Sequence, residues 1–347
     1  CGDTAAGKPF LLSERMIRKT IRFLDMFSGI GGFREGLSRA GGFVCVGHCE
    51  IDRCADRSYR ALFDTEGEWY CEDIRTVKPE ELPEFDLLCG GFPCQSFSDA
   101  GKRGGFADPR GTLFFELSRL AEARKPRYLL FENVPGLLHH DKGRTFAAIL
   151  HALDRLGYFV EWQVLNSKDF HVPQSRKRVY LVGYLDVRCR GKIFPFTETA
   201  GTPLKQVLAG SQGGRVYSAE GVSCTLTAQT GGMGGKTGLY ALPCCVDLNE
   251  SPEFTQYARC LIAKQDGGIH HHKREASGVW DGCRIRRLTP RECLRLQGWK
   301  DERIDLILPL HSDTQLYKQA GNGVTVNVVE AIGKRLAALH REATAID

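Results

Sequence analysis

Short apolar runs alternate with amphipathic stretches along the first half of the chain. Runs rich in Val, Leu and Phe predict buried strands, whereas apolar residues that recur every three to four positions predict helices. The predicted strands cover residues 21–26, 42–49, 69–71, 85–89, 128–131, 158–165 and 179–184. The predicted helices between them cover residues 34–39, 113–121 and 145–156. This alternation predicts an α/β fold with a mostly parallel, doubly wound sheet.

The pattern changes after residue 185. Glycines cluster at 210–214 and again at 231–235, with short β-type runs between them. Thr289 and Pro290 then predict the start of a helix, and a turn at 319–324 precedes a last helix at 326–339. The sequence therefore predicts a polar leader at 1–19 and a first domain at 20–185. A smaller, loop-rich, β-containing domain is predicted at 186–283, and a C-terminal segment at 284–347 whose helix returns to the first domain.

Composition indicates the class of protein and its compartment but does not identify a binding partner. The chain has 347 residues, 42% of them apolar, and a formal net charge of +5, which permits a nucleic-acid partner without requiring one. No apolar run approaches the ~20 residues of a membrane-spanning helix. The 14 cysteines are scattered, without a C-x-x-C pair, so we expect reduced thiols in a cytosolic protein. The adjacent histidines at 270–272 do not converge as helical i, i+4 pairs do, so no metal site is predicted.

A glycine loop follows the first predicted strand. Gly29, Gly31 and Gly32 do not have the G-x-G-x-x-G spacing of dinucleotide sites, and no P-loop lysine follows them. Glu50 lies after the second strand, about 20 residues beyond the loop, which suits a ribose diol. Asp73 and Ile74 follow the third strand and suit an adenine amino group and ring. Each acid alone is more often a surface carboxylate, but together they predict an adenosine-containing cofactor.

Reactive side chains follow two further strands. Gly90, Gly91 and Pro93 stop a strand directly before Cys94, and Glu132 follows another strand. Because the carboxyl ends of parallel strands meet at one edge of a sheet, Cys94 and Glu132 are expected to share a cleft. A cysteine is more often a buried small residue, but a thiolate here would be a strong nucleophile. Arg176 and Arg178, two residues apart at the start of the last strand, are expected on the same strand face and could reach an anionic or carbonyl-bearing substrate.

Six segments in this order resemble the C5-cytosine-specific DNA methyltransferases of bacterial restriction–modification systems. The resemblance covers nearly the whole chain. The matching segments are residues 25–33 (DMFSGIGGF), Pro93-Cys94-Gln95, Glu132-Asn133-Val134, residues 174–178 (QSRKR), residues 287–292 (RLTPRE) and residues 321–324 (GNGV).

The resemblance implies the S-adenosylmethionine-dependent methyltransferase fold, with residues 186–283 as the target-recognition domain, and it implies a role for each matched residue. Residues implied to contact S-adenosylmethionine are Phe27, Gly29, Gly31, Gly32, Glu50, Ile51, Asp73, Ile74, Pro93, Leu113, Asn322 and Val324. Residues implied to act on the base are Cys94, Glu132, Arg176 and Arg178. Residues expected to bind DNA are Lys102, Arg103, Gln212, Arg215 and Thr225.

The implied reaction is methyl transfer to C5 of a flipped-out cytosine in double-stranded DNA, through a covalent bond between Cys94 and C6. We expect a cytoplasmic, nucleoid-associated bacterial monomer that needs no metal and protects DNA from a cognate endonuclease. Similarity around residues 212–240 favours a GCGC-like core in the recognition sequence. Ala100 departs from a serine in close relatives, and residues 243–282 are longer than in compact members.

Three other functions are compatible with parts of the sequence. A tRNA cytosine-C5 methyltransferase would use the same catalytic residues, although the large glycine-rich domain favours duplex DNA. A catalytically silent DNA- or partner-binding module is disfavoured by the presence of Cys94, Glu132 and Arg178. A nicotinamide oxidoreductase is disfavoured by the glycine spacing.

Overall fold

A seven-stranded sheet forms the centre of the protein. The structure, a computed structural model, describes residues 20–92, 113–197 and 289–346, together with the backbone of six short strands between 206 and 278. The strands of the large sheet are β1 (Ile21–Met26), β2 (Phe43–Cys49), β3 (Trp69–Cys71), β4 (Leu87–Gly91), β5 (Tyr128–Asn133), β6 (Phe159–Asn166) and β7 (Lys177–Tyr184). Their spatial order is β3-β2-β1-β4-β5-β7-β6. The first five are parallel, and β7 runs antiparallel to both β5 and β6.

Helices connect the strands and follow the last of them. They are α1 (Gly32–Ala40), α2 (Arg53–Leu62), α3 (Leu113–Arg124), α4 (Gly136–His139), α5 (Arg144–Arg155), α6 (Pro290–Leu296), α7 (Asp301–Ile307), α8 (Asp313–Asn322) and α9 (Val326–Ile346). Within the described ranges, no helix is both long and apolar enough to cross a bilayer.

Both faces of the sheet are buried, because side chains alternate in direction along each strand. Leu24, Leu88 and Leu129 pack on one face, against α3 and α5. Phe23 and Leu130 pack on the other, against α1 and α9. This arrangement explains why the central strands are apolar at successive positions rather than alternating.

The C-terminal segment builds a third apolar cluster beside the sheet. Residues of α6, α7 and α8 pack there on α2, with Tyr59 and Trp299 among the buried side chains. Thr289 begins α6 with a capping box. The Glu292 N–H donates to the Thr289 hydroxyl oxygen, and the Thr289 N–H donates to the Glu292 carboxylate. The cap predicted at Thr289 and Pro290 is therefore confirmed.

Arg335 of α9 holds the segment that leaves the sheet domain. Its guanidinium donates to the carbonyl oxygen of Pro195 at 2.9 Å and to that of Ile193, and it stacks on the Phe196 ring at 3.6 Å. Gln163 of β6 bonds both the N–H and the C=O of Phe196. The chain is thus fixed where the glycine-rich region begins.

Most predicted elements are confirmed, with shifts of one to three residues at their ends. The predicted turn at 319–324 is wrong in part, because Gln319 to Asn322 form the last turn of α8. The last helix continues to Ile346 rather than ending at residue 339. Helices α2, α4, α7 and α8 were not predicted.

Short strands are present in the glycine-rich region. They are β8 (Gln206–Leu208), β9 (Val216–Ser218), β10 (Leu239–Ala241), β11 (Cys245–Asp247), β12 (Glu253–Thr255) and β13 (Ser277–Gly278). They pair as two three-stranded sheets, β10-β9-β8 and β12-β11-β13. The domain boundaries at 185/186 and 283/284 remain predictions.

Gly36 allows α1 and α9 to approach closely. A Cβ at this position would lie 2.6 Å from Cβ of Val329 and 2.8 Å from the carbonyl oxygen of Val326. Glycine to alanine inside a helix normally stabilises by ~0.5–1 kcal/mol. We expect Gly36→Ala instead to lower the free energy of unfolding by ~1–3 kcal/mol through overpacking, as measured by denaturant unfolding. Ser38→Ala, on the exposed side of α1, is the control and should change stability little. A stabilised Gly36→Ala protein would contradict this packing.

Candidate active site

The candidate site lies at the carboxyl ends of the parallel strands, where the order of the sheet reverses between β1 and β4. Ligands of open α/β sheets bind at such points. The glycine loop follows β1, and Glu50 follows β2. Gly91 ends β4 and is paired in register with Glu132 of β5. The glycine loop, Glu50 and Glu132 therefore lie at the same edge of the sheet.

The glycine loop is shaped by left-handed backbone and close packing. Phe27, Gly29 and Gly31 have φ values of 54°, 55° and 87°, and a non-glycine residue seldom adopts such a value without tertiary support. A Cβ on Gly31 would lie 2.3 Å from the Phe63 ring, and one on Gly32 would lie 2.6 Å from Val324. Only glycine fits at these two positions.

Glu50 is tied to the glycine loop by backbone hydrogen bonds. The N–H of Gly29 donates to one carboxylate oxygen at 2.7 Å, and the N–H of Asp52 donates to the other at 2.7 Å. Burial raises the pKa of Glu50, although these bonds oppose the shift. The hydroxyl of Ser28 is buried in the same loop without a hydrogen-bond partner among the described residues. A polar ligand with hydroxyl groups would fit this combination of acceptor and unpartnered hydroxyl.

Four further residues predicted to contact the cofactor differ in exposure. Ile51 is 58% exposed beside Glu50. Ile74 is only 2% exposed and packs into the core, so its side chain supports the site from below. Asp73 forms hydrogen bonds with Arg75 at 2.6–3.0 Å, which lower the pKa of its carboxyl group. Leu113 begins α3 and packs partly against the core.

Glu132 is a buried carboxylate beside two arginines. Its carboxylate oxygen lies 3.0 Å from Nε of Arg178, and the two side chains are 14% and 15% exposed. Burial raises the pKa of Glu132, while the charges of Arg178 and Arg176 act in the opposite direction. Asn133, the next residue, donates to the carbonyl oxygen of Phe92 at 3.3 Å. The end of β4 is thereby held beside the Glu132 carboxyl group.

Arg176 connects this carboxyl group to the C-terminal segment. Its guanidinium donates to the carbonyl oxygens of Gly321 and Gly323 at 2.9 and 2.8 Å. Burial, together with the charge of Arg178, lowers the pKa of Arg176 to about 9. Between the two glycines, Asn322 is exposed, and Val324 beyond them is buried against Gly32. The predicted cofactor residues Asn322 and Val324 are thus positioned partly by Arg176.

Sequence reasoning missed a buried polar network below this turn. The amide of Gln297 donates to the carbonyl oxygen of Ala320 at 2.6 Å and accepts from the hydroxyl of Thr325 at 3.0 Å. Ser167 and Thr325 share a further hydrogen bond of 2.8 Å. Gln174 donates to the carbonyl oxygen of Leu296. These four residues lie between the α-helices and strands, where no periodic pattern in the sequence could have indicated the network.

Several predicted site residues lie outside the described residues. These are Pro93, Cys94, Lys102, Arg103, Gln212, Arg215 and Thr225, as well as Ala100. Phe92, two residues before Cys94 in the sequence, is described and lies beside Asn133. Among the described side chains, no group of three or more His, Cys, Asp or Glu residues could hold a metal ion.

The comparison with known proteins decides the family. A sequence model described as C-5 cytosine-specific DNA methylase matches residues 21–338. The chain belongs to this family. The methylase is 35% identical over 349 residues to the type II methyltransferase M.DsaV of Dactylococcopsis salina, covering 92% of this chain and 87% of the relative. It is also 35% identical to the type II methyltransferase M.HpaII of Haemophilus parainfluenzae, covering 93% of this chain and 91% of that one.

A solved structure is similar to the methylase in fold. It is that of the Entamoeba histolytica methyltransferase EhMeth, with a TM-score of 0.66 at 17% identity, covering 92% of this chain and 98% of that chain. The predicted α/β methyltransferase fold is therefore confirmed. The methylase is an enzyme that methylates cytosine in DNA, and its family depends on S-adenosylmethionine.

The Glu132–Arg178 pair predicts a pH-dependent difference in stability. Arg178→Met leaves the buried carboxylate without its nearest cation, so we expect the free energy of unfolding at neutral pH to fall by about 3 kcal/mol. Because loss of Arg178 raises the pKa of Glu132 further, the folded variant binds more protons than the unfolded chain, and its stability decreases as pH rises. The difference in free energy of unfolding between the wild type and Arg178→Met should narrow as pH falls below 4.5, the ordinary pKa of glutamate.

Denaturant unfolding between pH 4 and 8 measures this difference. The control is Arg144→Met, because the Arg144–Asp141 pair is largely exposed and should contribute less than about 1 kcal/mol. A gap that is independent of pH would show that the two side chains do not interact electrostatically.

Proposed function

We propose that the protein is a type II methyltransferase that transfers a methyl group from S-adenosylmethionine to C5 of a flipped-out cytosine in double-stranded DNA, and so protects DNA from a cognate endonuclease. The type II designation of M.DsaV and M.HpaII supports this proposal. The observation that carries the chemistry is the buried Glu132 carboxyl group, whose pKa is raised, beside Arg178 and the end of β4.

The glycine loop and the strand ends would hold the cofactor. Glu50 keeps lone pairs for the ribose hydroxyls while it accepts from Gly29 and Asp52. Ile51 would cover one face of the adenine, and Asp73 would accept from its amino group. The remaining contacts are assigned to Phe27, Gly31, Gly32, Ile74, Pro93, Leu113, Asn322 and Val324. When bound, S-adenosylmethionine supplies a methyl group on a positively charged sulfur atom.

Cytosine C5 is a weak nucleophile until C6 carries an added group. The Cys94 thiolate would attack C6 and form a covalent bond, which places electron density on C5. Protonation of, or a strong hydrogen bond to, the ring nitrogen N3 stabilises that electron density. Glu132 suits this role because burial raises the pKa of its carboxyl group and so favours the protonated form that can donate to N3. After methyl transfer, loss of the C5 proton would let Cys94 leave.

The two arginines would divide the work of positioning. Arg178 lies beside Glu132 and would donate to the O2 carbonyl of the base. Arg176 would position both Glu132 and the turn at Gly321–Gly323, because part of its guanidinium already donates to the carbonyl oxygens of that turn. The resemblance places Arg176 among the residues that act on the base, and its hydrogen bonds to Gly321 and Gly323 favour a positioning role.

The DNA contacts are assigned from the resemblance. Lys102 and Arg103 would close over the flipped base, and Gln212 would fill the space that it leaves in the duplex. Arg215 would read a guanine, at roughly 1–3 kcal/mol of discrimination, and Thr225 would touch the backbone. Action on tRNA is not favoured, because the curated relatives at 35% identity are named as type II methyltransferases.

Covalent trapping tests the nucleophile. DNA that carries 5-fluorocytosine at the target cannot lose its C5 substituent as a proton, so the wild-type enzyme with cofactor should remain attached to it. Cys94→Ser should form no adduct and should lose at least about 1,000-fold in turnover, while DNA binding is retained. Near-normal turnover by Cys94→Ser would refute the assignment of the nucleophile. Adduct formation resolved by denaturing gel electrophoresis is the measurement.

Glu50 offers a separate test of the cofactor site. Glu50→Gln loses the charged acceptor and replaces one oxygen with an N–H₂ donor that faces a backbone N–H. We expect the Kd for S-adenosylmethionine to rise at least about tenfold, as calorimetry without DNA would measure it. Glu66→Gln, an exposed acid before β3, is the control and should bind normally. Unchanged affinity in Glu50→Gln would remove the ribose contact from the proposal.

A further inference from the structure

Two cysteines end neighbouring strands below the proposed cofactor site. Cys49 is the last residue of β2, and Cys71 is the last residue of β3. The two strands are parallel, and these residues are paired in register. Register partners on parallel strands direct their side chains to the same face of a sheet. Cys49 lies in the same apolar cluster against which Cys71 packs.

The two thiols are free and close to each other. Both belong to the described cysteines that form no disulfide. Cys49 is 2% exposed, whereas Cys71 is partly exposed, with its sulfur 3.3 Å from the carbonyl oxygen of Asp73 and 3.4 Å from the hydroxyl of Thr76. Burial raises the pKa of the Cys49 thiol, and the nearby Cys71 thiol contributes to the shift. One sulfur can therefore be reached from solvent, and the other lies behind it.

The spacing of the strands suits a disulfide bond. Neighbouring strands lie ~4.7–4.9 Å apart, and disulfides join Cα atoms that are ~4.4–6.8 Å apart. The preferred separation of Cβ atoms in a disulfide is only about 3.8 Å, so bond formation would draw the ends of β2 and β3 together.

The backbone of both cysteines supports the residues assigned to the cofactor. The N–H of Ser28 in the glycine loop donates to the carbonyl oxygen of Cys49 at 3.1 Å. The N–H of Glu50 donates to the carbonyl oxygen of Cys71 at 3.3 Å. Glu50 directly follows Cys49, and Asp73 follows Cys71 by two residues. A movement of either strand end would therefore change the distance between the ribose and adenine contacts.

We propose that Cys49 and Cys71 form a reversible disulfide that weakens binding of the adenosine part of the cofactor, an effect that rests on the proposed function. The oxidant is a peroxide. It oxidises the Cys71 thiol to a sulfenic acid and releases water or an alcohol. The Cys49 sulfur then attacks the Cys71 sulfur, the S–S bond forms, and the hydroxyl group leaves as a second water with the Cys49 proton. A dithiol reductant returns both thiols.

Disulfide mapping and cofactor binding test the inference on the full-length protein. Protein treated with hydrogen peroxide is alkylated and digested, and the peptides that contain Cys49 and Cys71 are identified by mass spectrometry. We expect a linked pair of peptides and a Kd for S-adenosylmethionine, measured without DNA, at least about fivefold higher than for reduced protein. Dithiothreitol should restore both the free peptides and the affinity.

Variants separate this bridge from oxidation elsewhere. Cys71→Ser and Cys71→Ala should each keep the same affinity before and after peroxide treatment, whereas Cys189→Ser, a buried cysteine after β7, should respond as the wild type does. If no Cys49–Cys71 peptide forms, or if it forms and affinity is unchanged, the inference is overturned. If the reduced wild type fails to bind the cofactor, the proposed cofactor site fails, and peptide mapping still decides the bridge.

Discussion

The buried guanidinium of Arg176 joins the two halves of the site. Its hydrogen bonds to the carbonyl oxygens of Gly321 and Gly323 fix the turn that precedes α9, and its charge acts on Glu132. Burying a cation without a fully compensating anion is costly, which is why the pKa of Arg176 falls to about 9. Glu132, Arg176 and Arg178 are therefore electrostatically coupled, and Arg176 also fixes the backbone on both sides of Asn322.

Burial is the common cause of the unusual groups at this edge of the sheet. Glu50 and Glu132 both have a raised pKa because each is desolvated, although each is stabilised differently. Glu50 accepts from two backbone N–H groups, whereas Glu132 faces Arg178. Backbone donors suit a carboxylate that stays an acceptor, and a side-chain cation suits one that exchanges a proton.

Local patterns predicted the parts of the site that follow strands directly. Apolar runs and the residues that follow them were enough to predict the glycine loop, Glu50 and Glu132. The structure has all three at the carboxyl ends of the strands. The burial of Ile74 and the carbonyl partners of Arg176 depend on segments far away in the sequence, so no local pattern indicates them. The last turn of α8 falls within the predicted turn because Gly321 and Gly323 are typical of a loop, although packing on α2 and α6 stabilises this helix.

Helix α9 covers one face of the sheet, yet it follows every strand of that sheet in the chain. While the chain is being synthesised, Phe23 and Leu130 can pack on α1, but α9 emerges some 200 to 300 residues after them. Folding of the sheet therefore has a late, long-range closing step, during which an apolar surface is open to aggregation or to chaperones. An unfinished chain also lacks Val324, which packs against Gly32 of the glycine loop.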